Sequence, residues 1–62
     1  MSKQVWIIYD SRAEDGDTDD AAVYESCESK KEAIRALMQW PDGVLYEYDL
    51  INGEAINERR VR

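Results

Sequence analysis

Along the first strand-like stretch, Lys3 to Tyr9, apolar residues occupy both alternations: Val5, Ile7 and Tyr9 on one, Trp6 and Ile8 on the other. A short run with two apolar faces predicts a central strand, or one whose second face meets a partner. Ala21 to Cys27 alternates more weakly, with Ala21, Val23 and Glu25 against Ala22, Tyr24 and Ser26, and predicts an edge strand. Helical spacing is found at Ser29 to Trp40. Ser29 and Glu32 make a capping-box pair, in which the hydroxyl accepts from a free N–H of the first turn and the carboxylate reaches back. Ala33, Ile34, Leu37 and Met38 then form an apolar stripe that Trp40 extends, while Lys30, Lys31, Arg35 and Gln39 fall on the other side. Pro41 cannot continue the helix, and Asp42-Gly43 signals a turn. Alternation returns at Val44 to Ile51, with Val44, Tyr46, Tyr48 and Leu50 on one face and Glu47 and Asp49, flanked by Leu45 and Ile51, on the other. Asn52-Gly53 predicts a type I′ hairpin turn. The final strand, Glu54 to about Arg60, is polar apart from Ile56 and the nearby Val61, as suits an edge guarded by charge.

The order strand, strand, helix, strand, strand predicts an α+β fold, ββαββ, in one domain spanning 1–62. Two sheet orders compete. Strands one and four could lie side by side in parallel at the centre, but the polarity of strand four opposes that. The preferred arrangement is a four-stranded antiparallel sheet of order 2-1-3-4, with the helix packed on one face. Two mid-strand carboxylates should not be buried unpaired. The Val44, Tyr46, Tyr48 and Leu50 face is therefore expected under the helix, which leaves Glu47 and Asp49 on the open face. The phase of strand one stays open. With Val5 and Ile7 toward the helix, Trp6 and Ile8 would form an exposed patch ringed by acids, a candidate contact surface. With the reverse phase, that patch vanishes into the core.

Composition narrows the function classes. The 62 residues are near the lower limit for a self-supporting core, and one cysteine allows no internal disulfide. The absence of histidine beside a single cysteine excludes a structural zinc site within one chain. Cys27 fits a reducing compartment. No apolar run is long enough to span a bilayer, and the N-terminal run Val5–Tyr9 is too short for a signal peptide. A soluble cytoplasmic protein is the expectation, with no membrane partner. Fourteen acids against eight bases leave a formal net charge of −6. Such a balance opposes direct nucleic-acid binding, where a basic surface is usual, and favours basic partners. Asp10 to Asp20 concentrates the charge: Asp10, Glu14, Asp15, Asp17, Asp19 and Asp20 against Arg12 alone, a local −5. An exposed loop is expected there, with the basic end Arg59, Arg60 and Arg62 placed to meet part of it.

Catalytic chemistry finds little support. Asp15, Asp17 and Asp19 alternate like the start of a calcium loop, but glycine should stand sixth and glutamate twelfth. Those positions hold Asp20 and Ser26. Glu47 and Asp49 share a strand face, yet a domain this small has no room for a deep cleft beside its core. No histidine base is present, and there is no glycine-rich phosphate loop. Cys27 precedes the helix start, where a thiol pKa can fall, but Glu25 and Glu28 flank it and oppose that effect. It reads as a packed small residue. The four tyrosines and two tryptophans read as core first and protein interface second. No enzyme activity, cofactor or dedicated metal site is expected; weak calcium or magnesium binding by the clustered loop carboxylates is a third alternative.

Four stretches, Asp17-Thr18-Asp19-Asp20-Ala21, Ser29-Lys30-Lys31-Glu32-Ala33, Tyr46-Glu47-Tyr48-Asp49 and Asn57-Glu58-Arg59-Arg60, resemble small uncharacterised acidic proteins encoded by phages and bacteria. The resemblance covers most of the chain and implies no catalytic residue. It implies a mobile-element setting, where small acidic proteins inhibit host nucleic-acid-binding machinery, including anti-CRISPR and anti-restriction proteins that imitate DNA charge. The expected function is a non-enzymatic inhibitor that occupies a basic groove by charge mimicry. Glu14, Asp15, Asp17, Asp19, Asp20, Glu25, Glu28, Glu47 and Asp49 are its candidate contacts, with Trp6 as an apolar one. The alternative is an assembly module that homodimerises through Trp6 and Ile8 on the open sheet face.

Overall fold

The computed structural model describes residues 3–62. Four strands, β1 (Lys3–Tyr9), β2 (Val23–Cys27), β3 (Val44–Ile51) and β4 (Glu54–Arg60), form one antiparallel sheet of order β2-β1-β3-β4. The single α-helix among the described residues, α1 (Lys30–Leu37), links β2 to β3. The fold is α+β, with the two apolar strands central and the polar ones at the rims, as the hydrophobic pattern predicts. A 3₁₀ helix, Ser11–Asp15, lies within the segment read from sequence as a loop.

Local chemistry accounts for the boundaries. Ser29 is extended and its hydroxyl accepts from the Glu32 N–H at 3.1 Å, which starts α1. After Leu37 the chain continues as tight turns, with the Gln39 and Trp40 N–H groups bonded to the carbonyls of Ala36 and Leu37. The helix is thus shorter than the Ser29–Trp40 expectation, and Met38, expected on its apolar stripe, points to solvent with 82% exposure. Asn52 and Gly53 both have positive φ, 51° and 81°, as a type I′ turn requires. In β4, Asn57 also has positive φ, and the pairing with β3 shifts register between Glu47 and Asp49. That irregularity interrupts the outer edge and discourages a further strand from adding there.

The phase of the sheet differs from expectation. Trp6 and Ile8 of β1 pack with Leu45 of β3, Cys27 and Ala33, and Ile34, Leu37 and Trp40 close over them. Ile8, Ala33 and Leu45 are fully buried and Trp6 is 9% exposed. The expected exposed patch at Trp6 and Ile8 is therefore absent: both lie beneath the helix, and Val5 and Ile7 face the other way. Val44, Tyr46 and Tyr48, expected under the helix, pack instead with Tyr9 and Ala13 on the reverse face, flanked by Val5, Ile7 and Ala21. Helix length gives the physical reason. Eight residues of α1 span about 12 Å, against about 26 Å for the eight of β3. The helix covers the Leu45 end, and Glu47 and Asp49 lie on the same face beyond its reach, so their carboxylates escape burial. Ile51 and Ile56, farther along the hairpin, are 44% and 39% exposed.

The reverse face has its own cover. Residues 10–22 cross it as a strap, and Ala13 from the 3₁₀ helix is inserted with no exposure among Tyr9, Val44, Tyr46 and Tyr48. Tyr9 and Tyr46 meet edge to face at 5.7 Å, a favourable aromatic geometry. The fold is therefore three layers, helix on sheet on strap, with a small core on each side of the sheet.

Candidate functional site

The acidic strap is built from its first residue. Asp10 caps the 3₁₀ helix: its carboxylate accepts from the Arg12 and Ala22 N–H groups and from the Arg12 guanidinium at 2.7 Å. These bonds, led by Arg12, hold the Asp10 carboxyl below its ordinary pKa. Asp10, counted from sequence among the loop's charges, is thus a structural clamp joining the two ends of the strap. The Asp10 N–H donating to the Ala22 carbonyl at 3.0 Å completes that closure.

Beyond Asp10 the strap turns its acids outward. Glu14, Asp15, Asp17, Asp19 and Asp20 are all exposed, and among the described residues none is in an ion pair. Their backbone is tied down from beneath. The Tyr46 hydroxyl donates to the Ala13 carbonyl at 2.7 Å and the Arg60 guanidinium to the Glu14 carbonyl at 2.8 Å. The Thr18 hydroxyl donates to Glu58 Oε1 at 3.0 Å, an oxygen that also accepts from the Tyr48 hydroxyl at 2.7 Å. Tyr48 is further linked to the Tyr9 hydroxyl at 2.8 Å. Burial, followed by the bonds to Glu58 and Tyr9, pushes the Tyr48 phenol far above its ordinary pKa, so it stays a neutral donor. The basic end of β4 does meet the loop, but at a backbone carbonyl; beyond Asp10, the loop's carboxylates have no ion-pair partner among the described residues.

The other candidate residues fall elsewhere. Glu25 and Glu28 are exposed at the β2 side, with Glu25 opposite Ile8 in register. Glu47 and Asp49 are claimed by Arg59, which donates to Glu47 at 3.0 Å and to Asp49 at 2.9 Å. Asn57 adds a bond to Asp49 at 2.9 Å. Hydrogen bonds from Arg59 and then Asn57 lower the Asp49 pKa. Arg59 offsets one of the pair's two negative charges, and its bonds fix both carboxylates in place. Trp6 lies beneath the helix at 9% exposure, so the exposed apolar patch expected from the sequence is absent; what remains accessible of it lines a surface cavity with Lys3, Gln4, Val5, Glu28 and Leu50. The structure thus groups the five strap acids together, sets Glu25 and Glu28 apart from them, ties Glu47 and Asp49 to Arg59 and places Trp6 beneath the helix.

Glu58 was missed by sequence reasoning. It lies two residues before Arg60, which stands opposite Tyr46 in register, and its carboxylate joins the strap acids at Thr18. The signal was the alternation of Glu58 and Arg60 against Arg59, masked by the register shift at Asn57. Cys27 is buried at the helix face. Desolvation, then the charges of Glu25 and Glu32, raises its thiol pKa, which suppresses nucleophilic character. Among the described residues no three His, Cys, Asp or Glu side chains converge to hold a metal ion, and no helix is long and apolar enough to cross a membrane. Comparison of the chain with protein-family models, curated proteins and solved structures returns no match.

Proposed function

We propose that this protein is a non-enzymatic inhibitor that binds a basic groove, with the carboxylates of Glu14, Asp15, Asp17, Asp19 and Asp20 standing where nucleic-acid phosphates would lie. The observation that carries the reading is their arrangement: five exposed acids, free of ion pairs among the described residues, on a backbone bonded to the sheet. Preorganised charge favours association because less ordering is needed on binding. Such contacts release counterions and weaken as salt screens them. Glu58 extends the acidic surface, and Glu25 and Glu28 form a secondary one at the sheet edge. The setting implied by the sequence resemblance, a phage or bacterial mobile element, suits an anti-CRISPR or anti-restriction role acting in the cytoplasm.

Capture from a bacterial lysate with the tagged protein tests this. A nucleic-acid-binding protein should be retained at low salt, lost at high salt and displaced by added duplex DNA. The variant D15N/D17N/D19N/D20N, whose formal charge is −2 (−6 plus four), should retain none of it. Equal retention by the variant would overturn the reading.

A further inference from the structure

The strap is held by side chains of a strand that contributes almost nothing to either core. Every residue of β4 is exposed, and its apolar contribution is limited to Ile56, itself 39% exposed, beside the partly buried Val61 that follows it. Yet two of its side chains reach across the reverse face to the strap. Glu58 takes the Thr18 hydroxyl, and Arg60 donates to the Glu14 carbonyl. The sequence separations are 40 and 46 residues, so these bonds join the two ends of the chain.

We propose that Glu58 and Arg60 form a clasp that holds the distal part of the strap, Glu14 to Asp20, in one conformation on the sheet, and that this part opens as a unit separate from the core. Two features separate the distal part from the rest. Asp10 and the buried Ala13 anchor the proximal end through their own bonds and packing. From Gly16 to Asp20 no residue is buried, so hydrogen bonds are what hold this part. A segment with few buried contacts sits at the low end of local stability and opens without global unfolding. Charge pushes the same way, since Asp15, Asp17, Asp19 and Asp20 repel one another on a short arc. The Tyr9–Tyr48–Glu58 hydroxyl chain fixes the Glu58 oxygen from below, which makes Glu58 the positioning residue and Thr18 its strap-side partner. The consequence for binding rests on the function proposed above: a loosened strap keeps its charge and loses its preorganisation.

Backbone ¹⁵N relaxation on the protein alone is the test. The variant E58A/R60A removes one acid and one base, so the formal charge stays −6. Order parameters at Gly16 to Asp20 should fall from about 0.85 to below about 0.6, while those of Ile7, Leu45 and Tyr46 stay at wild-type values. T18V, which keeps the side-chain shape and deletes one donor, should loosen the same five residues to a smaller extent. E58Q, which keeps an acceptor oxygen, should hold the strap. A strap as rigid as wild type in both E58A/R60A and T18V would overturn the clasp. So would loss of order in the sheet and strap together in T18V. Should E58A/R60A fail to fold, T18V and E58Q decide between these outcomes. No partner enters the measurement, so a rigid strap would leave the acidic-surface reading standing, and a failed capture would leave the clasp standing.

Discussion

At the scale of single residues, the same side-chain chemistry has opposite uses according to its neighbours. Asp49 and Asp15 are both aspartates near the surface, but Arg59 and Asn57 bind the first, and the second has no cationic partner among the described residues. Removing the guanidinium should expose the difference. In R59A, the Asp49 carboxyl should titrate at higher pH than in wild type, as NMR titration would read. The stability that a depressed pKa contributes is present above the unfolded carboxyl range, about 4, and is lost as pH falls through the lower folded value. R59A should therefore lower stability at neutral pH and flatten the loss of stability on acidification. Trp6 illustrates burial. Trp6→Ala should cost about 3–5 kcal/mol in urea unfolding, much of what a chain of 62 residues can spare. A cost under about 1 kcal/mol would mean that Trp6 is not in the core. Tyr46→Phe tests the strap's deepest bond. The Ala13 carbonyl keeps the Gly16 N–H as a partner at 3.0 Å, so the loss should be about 1 kcal/mol, a hydrogen bond's net worth, rather than the larger penalty of an orphaned buried acceptor.

At the scale of elements, α1 is a short cover whose position depends on its two ends. Its N-terminus rests on the Ser29 cap, and Ser29→Ala should lower stability by about 1 kcal/mol. At its C-terminal side the chain turns tightly into β3 at Gly43. A Cβ there would lie 2.8 Å from Leu37 Cδ1 and 3.0 Å from both Trp40 Cβ and the Trp40 carbonyl oxygen. Two of those contacts are with atoms held at or next to the backbone, so the turn itself must shift. Gly43→Ala should therefore lower the unfolding midpoint and disturb the Tyr24–Trp40 stack, whose rings are 4.3 Å apart and nearly parallel. Near-ultraviolet circular dichroism would report the stack directly. An unchanged spectrum and midpoint would show that the turn accommodates a methyl group freely.

At the scale of the molecule, charge and stability are in tension. Eleven of the fourteen acids lie outside the ion pairs of Arg12 and Arg59 (fourteen less Asp10, Glu47 and Asp49). Self-repulsion of this kind disfavours the compact state. The D15N/D17N/D19N/D20N variant should therefore be as stable as wild type or more stable, and added salt should stabilise wild type more than the variant. A variant less stable than wild type would show that the strap carboxylates contribute to folding, which their exposure and lack of ion pairs argue against.

Much of this architecture was legible in the sequence, because local patterns report local facts. The spacing of Ala33, Ile34 and Leu37, the Ser29 cap, the Asn52-Gly53 turn and the alternation at Val44–Ile51 determined the elements. The polarity of β4 determined that it lies at an edge, and with it the order β2-β1-β3-β4. Alternation defines two faces of a strand without saying which one meets the helix when both carry apolar residues. That choice was tertiary: a helix of eight residues covers only the Leu45 end of β3, so Glu47 and Asp49 share its face partly exposed and Arg59 bonds to both. Tertiary structure alone also decided that a run of acids would cross the reverse face with Ala13 inserted beneath it. One alanine in a charged segment carries no periodic signal, and the bonds that hold the segment span 33 to 46 residues. Contacts between groups that far apart exist only once the sheet has brought β3 and β4 under the strap.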